Sequence, residues 1–108
     1  MRIKIWQIDT RVSGAFSAMF LNYERTTKYH DGVKKERYEC VYDGDTTAKT
    51  LDEVYVVFNA YQPVGFRGRS MSVSDVVEVL DGEHRGVWFV DSVGFVELMP
   101  CQWEAGTC

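Results

Sequence analysis

Apolar and polar residues alternate in the first segment of the chain, residues 2–8. Ile3 and Ile5 share one parity, whereas Trp6 and Ile8 fall on the other. Because successive side chains of a strand point to opposite faces, the change of parity predicts a strand that is covered on both faces or contains a bulge.

Residues 12–29 repeat apolar side chains at intervals of three and four, which is typical of an amphipathic helix. A glycine and two adjacent threonines lower the helical propensity of the segment, so we expect two short helices with a break near Asn22. On this pattern, Phe16, Met19 and Phe20 are predicted to lie in the core.

The best-defined element is a helix that begins after Thr50. Thr50 and Glu53 have the spacing of a capping box, in which Thr50 accepts from the N3 amide and Glu53 reaches back to the Thr50 N–H. Pro63 ends the helix, since the residue before a proline is displaced from helical geometry. The apolar face behind the cap consists of Leu51, Val54, Tyr55 and Phe58.

The remaining segments have the short apolar runs and turn residues of an antiparallel sheet. Extended segments are predicted at residues 38–42, 71–73, 76–80, 87–90 and 95–98. Asp43-Gly44-Asp45 is predicted to end the first of them, and Asp81-Gly82 has the composition of a hairpin turn.

These elements predict a single α+β domain at residues 1–100. Its small antiparallel sheet combines the N-terminal strand with a C-terminal β-meander and packs against two helical segments. Residues 101–108 are expected to form a mostly frayed tail, with Trp103 docking on the domain.

Composition narrows the class of protein. Of the 108 residues, 45% are hydrophobic and 14% aromatic, which favours a packed core over disorder. The first residues lack the unbroken apolar run of a signal peptide or membrane span, so we expect a cytoplasmic protein. The three cysteines include no CxxC pair; neither a zinc site nor a disulfide framework is expected, and no cofactor is predicted.

Charge is distributed unevenly within a net charge of −4. Residues 1–37 contain eight basic and four acidic residues, whereas residues 38–108 contain four basic and twelve acidic ones. Two differently charged, solvated faces explain this distribution, and nucleic-acid binding by a basic face is the alternative. The residues assigned to that alternative are Arg25, Lys28, Lys34, Lys35 and Arg37.

The polar run at residues 70–75 contains Ser70, Ser72, Ser74 and Asp75. If the run is extended, the three serines share one face. A serine nucleophile also needs a base and an orienting acid, and the chain offers only two histidines. We therefore interpret Ser74 and Asp75 as residues that bond backbone amides and fix the turn into the strand. Asp75 and Asp91 form a further carboxylate pair only if the hairpin brings them together.

Arg67 and Arg69 flank Gly68 immediately before the serines. Two guanidinium groups beside a flexible glycine favour binding of a phosphate or a carboxylate. A strand rather than a helix follows, so a nucleotide-binding loop is not indicated. The predicted partner-binding residues are Arg67, Arg69, Ser70, Ser72, Asp81 and Glu83.

Two stretches, LDEVYVVFNAYQPVGFRGRSMSVSDVVEVL at residues 51–80 and VWFVDSVGFVEL at residues 87–98, resemble the YodL-like family, whose members are found largely on bacterial mobile elements. The earlier YERTTKY and RYECVYDG also fit that family. The combination S-x-S-V-S-D-V-V with V-D-S-x-G-F is the specific part. Many relatives have histidine where this chain has Arg69, which argues against an acid–base or metal role at that position.

The resemblance implies an accessory function of plasmids, phages or conjugative elements, without an agreed activity that can be assigned to residues. We expect a non-enzymatic counter-defence protein, an anti-CRISPR or anti-restriction inhibitor that binds a host nuclease through its acidic surface. A nucleic-acid-binding accessory domain is the alternative, and an enzyme based on the serines and aspartates ranks last. The sequence predicts no membrane partner and leaves the oligomeric state open.

Overall fold

A computed structural model describes residues 1–105 as one antiparallel sheet with helices on its two faces. Its elements are β1 (Arg2–Ile8), α1 (Tyr23–His30), β2 (Tyr38–Asp45), α2 (Leu51–Ala60), β3 (Val76–Val79), β4 (Gly86–Val90), β5 (Phe95–Leu98) and α3 (Pro100–Ala105). The strands lie in the order β2-β1-β3-β4-β5, and every neighbouring pair is antiparallel. The predicted α+β class, N-terminal strand and C-terminal meander are therefore confirmed.

The change of parity in β1 has the cause that the sequence indicated. The register between β1 and β2 shifts between Ile5 and Trp6, which is a bulge, and the sheet is covered on both faces. Ile3 and Ile5 contact the core on the α2 side, whereas Ile8 lies in the core on the opposite side. Bulge and two-sided burial occur together in this strand.

The core on one face is closed by α2. Val54 and Phe58 of the helix are fully buried, and the Phe58 ring makes edge contacts with Tyr42 and Phe66. The Thr50 hydroxyl accepts from Glu53 N–H at 3.1 Å, as expected of the cap. The Glu53 carboxylate, however, accepts from the N–H of Lys49 and not of Thr50. The capping box is thus confirmed in its first half and displaced by one residue in its second.

The core on the opposite face is closed by α3 and the segment before α1. Trp103 is 0% exposed, and its ring makes edge contacts with Trp6 and Tyr38 at centroid distances of 5.6 and 5.4 Å. A frayed end is therefore not found at residues 100–105, although the expected docking of Trp103 is. Residues 106–108 of the predicted tail lie outside the described part of the chain.

Three local predictions were wrong: the helix within residues 12–22, the core positions of Phe16 and Phe20, and the end of a strand at residues 43–45. Residues 12–22 contain only a short 3-10 turn at Phe16–Ala18 before α1, and Phe16 and Phe20 are 66% and 56% exposed rather than in the core. Asp43-Gly44-Asp45 does not end a strand but continues β2, paired with the first residues of β1. The expected break at Asn22 is confirmed, since its side chain caps α1 by accepting from Arg25 N–H.

Two further findings concern membrane-spanning helices and the cysteines. Within residues 1–105, no helix is long and apolar enough to cross a membrane. Cys101 is disulfide-bonded, so the chain contains a disulfide although no disulfide framework was expected.

Candidate functional site

A buried polar cluster lies where the end of β1 meets the segment that leads into β3. Gln7, Ser74 and Asp75 are each at most 1% exposed, although their side chains are polar or ionisable. Buried polar groups are costly unless they are hydrogen-bonded. The partners of these three residues therefore show what the cluster holds in place.

Gln7 connects β1 to the loop before β3. Its Nε2 donates to the Arg69 carbonyl at 2.8 Å and to Asp75 Oδ2 at 3.0 Å, and its Oε1 accepts from Arg69 N–H at 3.1 Å. A Cβ on Gly68 would lie 2.3 Å from Gln7 Oε1, so only glycine allows this close approach. The loop backbone at Arg69 is consequently fixed to β1 by one side chain.

Asp75 accepts two hydrogen bonds on one carboxylate oxygen. Oδ2 accepts from Gln7 and, at 3.0 Å, from Ser72 N–H, whereas Oδ1 is buried with no partner among residues 1–105. Burial raises the pKa of Asp75 to about 7, against the opposing effects of the bonds from Ser72 and Gln7 and the charge of Arg69. Because Asp75 is inaccessible to a substrate, its perturbed pKa reflects a structural role.

Ser74 stabilises an unusual turn at the entrance to β3. Its backbone has φ of 86°, a left-handed conformation that is strained for residues other than glycine. Its carbonyl accepts from the Tyr38 hydroxyl at 2.6 Å, and its Oγ accepts from Phe20 N–H at 2.9 Å. Burial, and secondarily the charge of Asp75, raises the pKa of Tyr38. The predicted structural role of Ser74 and Asp75 is confirmed, but the left-handed turn removes the shared serine face.

Phe20 is the exposed residue that this cluster positions. It has φ of 70°, and its N–H is the donor to the buried Ser74 hydroxyl. Its exposed ring lies 6.0 Å from the guanidinium carbon of Arg69, within the range of a cation–π contact. Two strained residues thus hold an exposed aromatic ring beside an arginine. The apolar periodicity assigned Phe20 to the core, and no other sequence signal identifies it.

The predicted residues Arg67, Arg69, Ser70 and Ser72 lie on the loop fixed by Gln7. Arg67 is exposed and donates to the Cys40 carbonyl at 3.0 Å, and Ser70 is also exposed. Arg69 is half-buried, and the Ser72 hydroxyl is buried with no partner within residues 1–105. The structure therefore leaves Arg67 and Ser70 exposed and places Arg69 beside the Phe20 ring, whereas the Ser72 hydroxyl is buried.

Asp81 and Glu83, the other predicted partner-binding residues, lie in the exposed turn between β3 and β4. Asp81 accepts from Arg2 N–H at 3.1 Å, at the start of β1, whereas Arg69 is bonded to Gln7 near its end. At the usual rise of a strand, these two positions are about 16 Å apart. The six residues therefore form two separate groups.

The basic residues of the nucleic-acid alternative do not form a uniform free surface. Arg25 and Lys28 are exposed on α1. Lys34 pairs with Asp31, and Lys35 pairs with Glu104 at 3.2 Å while lying over the rings of Trp6 and Trp103. Arg37 donates to the carbonyls of Gly32 and His30. Three of the five cations thus have intramolecular partners.

Asp75 and Asp91 have separate partners and separate surroundings. Asp91 accepts from Tyr23 N–H at 3.1 Å and from Ser92 N–H, and it lines an open depression of about 240 Å³ together with Asp52, Tyr55 and Phe95. Asp75 is buried and does not line this depression. Within residues 1–105, no group of three or more histidine, cysteine or acidic side chains has the arrangement of a metal site.

Comparison with known proteins identifies the chain at the level of a family. The model of the YodL-like domain matches residues 2–100, which is most of the chain. The searches of curated proteins and of solved structures found no match.

Proposed function

This chain belongs to the YodL-like domain family, and on that premise we propose that it is a non-enzymatic binding protein of a bacterial mobile element. In this proposal it acts in the host cytoplasm as an anti-CRISPR or anti-restriction inhibitor that binds a defence nuclease. The genomic setting implied by the family resemblance supports the counter-defence role. The structural support for binding comes from the exposed Phe20 ring and the neighbouring Arg69, which together form the Phe20 surface.

The observation that carries the proposal is the exposed Phe20 ring held beside Arg69 by a strained backbone. Residues in sparsely populated backbone conformations persist where the surrounding structure fixes them, and they concentrate at functional sites. Here the buried Ser74 hydroxyl fixes the Phe20 N–H, while Gln7 fixes the Arg69 backbone. Aromatic and arginine side chains are enriched among the residues that dominate protein–protein binding energy. A preorganised pair of this kind favours a binding surface over a mobile loop.

The charge of the remaining surface supports a nuclease as the partner. Eight of the twelve acidic residues in 38–108 are exposed: Asp43, Asp45, Asp52, Glu53, Asp81, Glu83, Glu97 and Glu104. A nuclease presents a basic groove to the phosphate backbone, and complementary potentials accelerate association and select partners. The acidic surface supplies attraction to such a groove, and the Phe20–Arg69 pair supplies a localised contact.

The test measures nuclease inhibition directly. The purified chain is added in excess to an RNA-guided nuclease and to a restriction endonuclease from a host of the mobile element, and DNA cleavage is followed. We expect cleavage by one of them to fall at least about tenfold and the double variant Phe20→Gly/Arg69→Gln to lose most of that effect. Glycine suits the left-handed backbone of position 20, so the variant is expected to remain folded.

Arg85→Gln is the matched control, because Arg85 is exposed in the turn before β4 and lies outside the Phe20 surface. It is expected to inhibit as the natural chain does. Unchanged cleavage with the natural chain, for both nucleases at saturating concentration, would show that the proposed function is wrong.

The nucleic-acid alternative makes a different prediction. Binding through Arg25 and Lys28 would weaken steeply with salt, because counterions are released when phosphates are neutralised. A gel-shift titration of duplex and single-stranded DNA at low salt is expected to show no complex. A salt-sensitive complex that is lost in Arg25→Gln/Lys28→Gln would favour the alternative.

A further inference from the structure

We propose that Arg69, with Phe20 as its apolar wall, is the receptor for one carboxylate side chain, aspartate or glutamate, on a protein partner. This inference rests on the proposed function, since it names the chemistry by which the Phe20 surface recognises its partner. It assigns a ligand class to an exposed phenylalanine and a half-buried arginine.

The first support is the unsatisfied hydrogen-bonding capacity of Arg69. A guanidinium group has five N–H donors. The only hydrogen bond from this group to residues 1–105 is a long one, from Nη2 to the Ile8 carbonyl at 3.5 Å, and Nε is buried with no partner there. Neither Arg67 nor Arg69 forms a salt bridge within those residues. Most of its donors therefore lack acceptors within residues 1–105, and its charge acts on the buried Asp75 carboxyl only from beyond salt-bridge distance.

The second support is the rigidity of the arginine's attachment. The Arg69 backbone forms two hydrogen bonds with the fully buried Gln7 side chain, at 2.8 and 3.1 Å. Gly68 allows the close contact with Gln7, and Phe20 lies 6.0 Å from the guanidinium carbon. A fixed backbone and a neighbouring ring reduce the conformational entropy that the arginine loses when it binds a ligand. The planar guanidinium group suits bidentate recognition of a carboxylate.

The third support distinguishes a protein carboxylate from a nucleic-acid phosphate. A polyanion would be repelled by this chain, because its net charge is −4 and its residues 38–108 expose eight acidic side chains. A single carboxylate next to aliphatic carbon meets less repulsion, and its methylene groups can contact the exposed Phe20 ring. Charge and apolar contact together favour an acidic side chain of a protein.

The test uses the full chain and a defined probe, so it does not depend on a nuclease. The blocked dipeptide N-acetyl-Glu-Phe-amide is titrated into the ¹⁵N-labelled chain and followed by NMR, with N-acetyl-Gln-Phe-amide as the uncharged match. We expect saturable shifts at the Arg69 Nε–H and at the amides of Phe20 and Ser70, in the millimolar range that a few charge-assisted hydrogen bonds support. The uncharged dipeptide is expected to bind at least about tenfold more weakly.

Variants assign the binding to the site. Arg69→Gln is expected to raise the Kd at least about tenfold, and Arg85→Gln to leave it unchanged. Should Arg69→Gln not fold, Arg69→Lys keeps the charge but not the planar fork and is expected to bind more weakly than the natural chain.

Three results would overturn the inference: equal binding of the two dipeptides, full binding by a folded Arg69→Gln chain, or tighter binding of inorganic phosphate than of the acidic dipeptide. Failure here with nuclease inhibition intact would remove the carboxylate receptor and leave the proposed function standing.

Discussion

The side chain of Gln7 and the backbone of Arg69 are joined by two hydrogen bonds, from Nε2 to the carbonyl at 2.8 Å and from the Arg69 N–H to Oε1 at 3.1 Å. A buried glutamine on β1 thereby takes the place of a strand partner for a loop that has no regular structure. The same amide donates to Asp75, so one side chain connects β1, the arginine loop and the entrance to β3. Its removal tests whether the candidate site depends on the sheet.

We expect Gln7→Leu to lower the free energy of unfolding by about 3 kcal/mol, because it leaves the partly buried Arg69 N–H and carbonyl without partners and removes a donor from the buried Asp75. Urea unfolding followed by circular dichroism measures the change. Gln102→Leu, at a half-buried position on α3, is the matched control and should change stability by less than about 1 kcal/mol. Equal effects of the two substitutions would contradict the role assigned to Gln7.

Asp75 makes stability depend on pH in an unusual direction. Its pKa rises from 3.8 to about 7 on folding, mainly through burial, so the folded chain binds a proton more tightly than the unfolded chain. The contribution of this group is therefore complete below the lower value and is lost as pH rises through the upper one. Most acidic residues act in the opposite sense, since hydrogen bonds and ion pairs lower their pKa.

Asp75→Asn should remove this dependence. An asparagine can keep its carbonyl oxygen toward Gln7 and Ser72 and place its amide where Oδ1 has no partner. As pH increases from acidic to weakly alkaline values, the free energy of unfolding of the variant should rise by up to about 4 kcal/mol relative to that of the natural chain. One pKa unit corresponds to about 1.36 kcal/mol. Urea unfolding at several pH values measures the difference, with Asp91→Asn as control. A constant difference across pH would contradict the elevated pKa.

Trp103 joins the last helix to the core. Trp103→Ala removes a fully buried ring that contacts Trp6 and Tyr38, so unfolding free energy should fall by about 3–5 kcal/mol. Trp103→Phe should cost less, because the indole Nε1 is buried with no partner within residues 1–105. Tyr61→Ala, at a 77% exposed position, is the control. A small effect of Trp103→Ala in thermal and urea unfolding would mean that α3 is dispensable.

Local sequence patterns predicted the elements whose causes are local. β1 and β5 have the predicted bounds, and α2 follows its cap and apolar face. The bulge was visible as a parity change at Ile5 and Trp6, because the side chains of one strand report which face is buried.

The prediction of core residues was wrong at Phe20, an apolar residue that is exposed rather than buried. Phe20 has the spacing of a core residue, but the left-handed backbone at Phe20 and Ser74 turns its ring toward solvent. Helical periodicity assumes a helix, and the segment before α1 forms only a 3-10 turn. The hydrogen bond between Phe20 and Ser74 spans 54 positions, so no local pattern contains it.

The sequence by itself determined the α+β class, the order of the main elements, the family and the two arginines as candidates, because periodicity, turn chemistry and motif are written in neighbouring residues. The tertiary structure alone decided that Gln7 fixes Arg69, that Phe20 accompanies it, and that Asp81 and Glu83 lie elsewhere. Those relationships depend on which strands become neighbours and which polar groups are buried together. They arise from long-range pairing of the sheet, where the cost of an unsatisfied buried group selects partners that are distant in the chain.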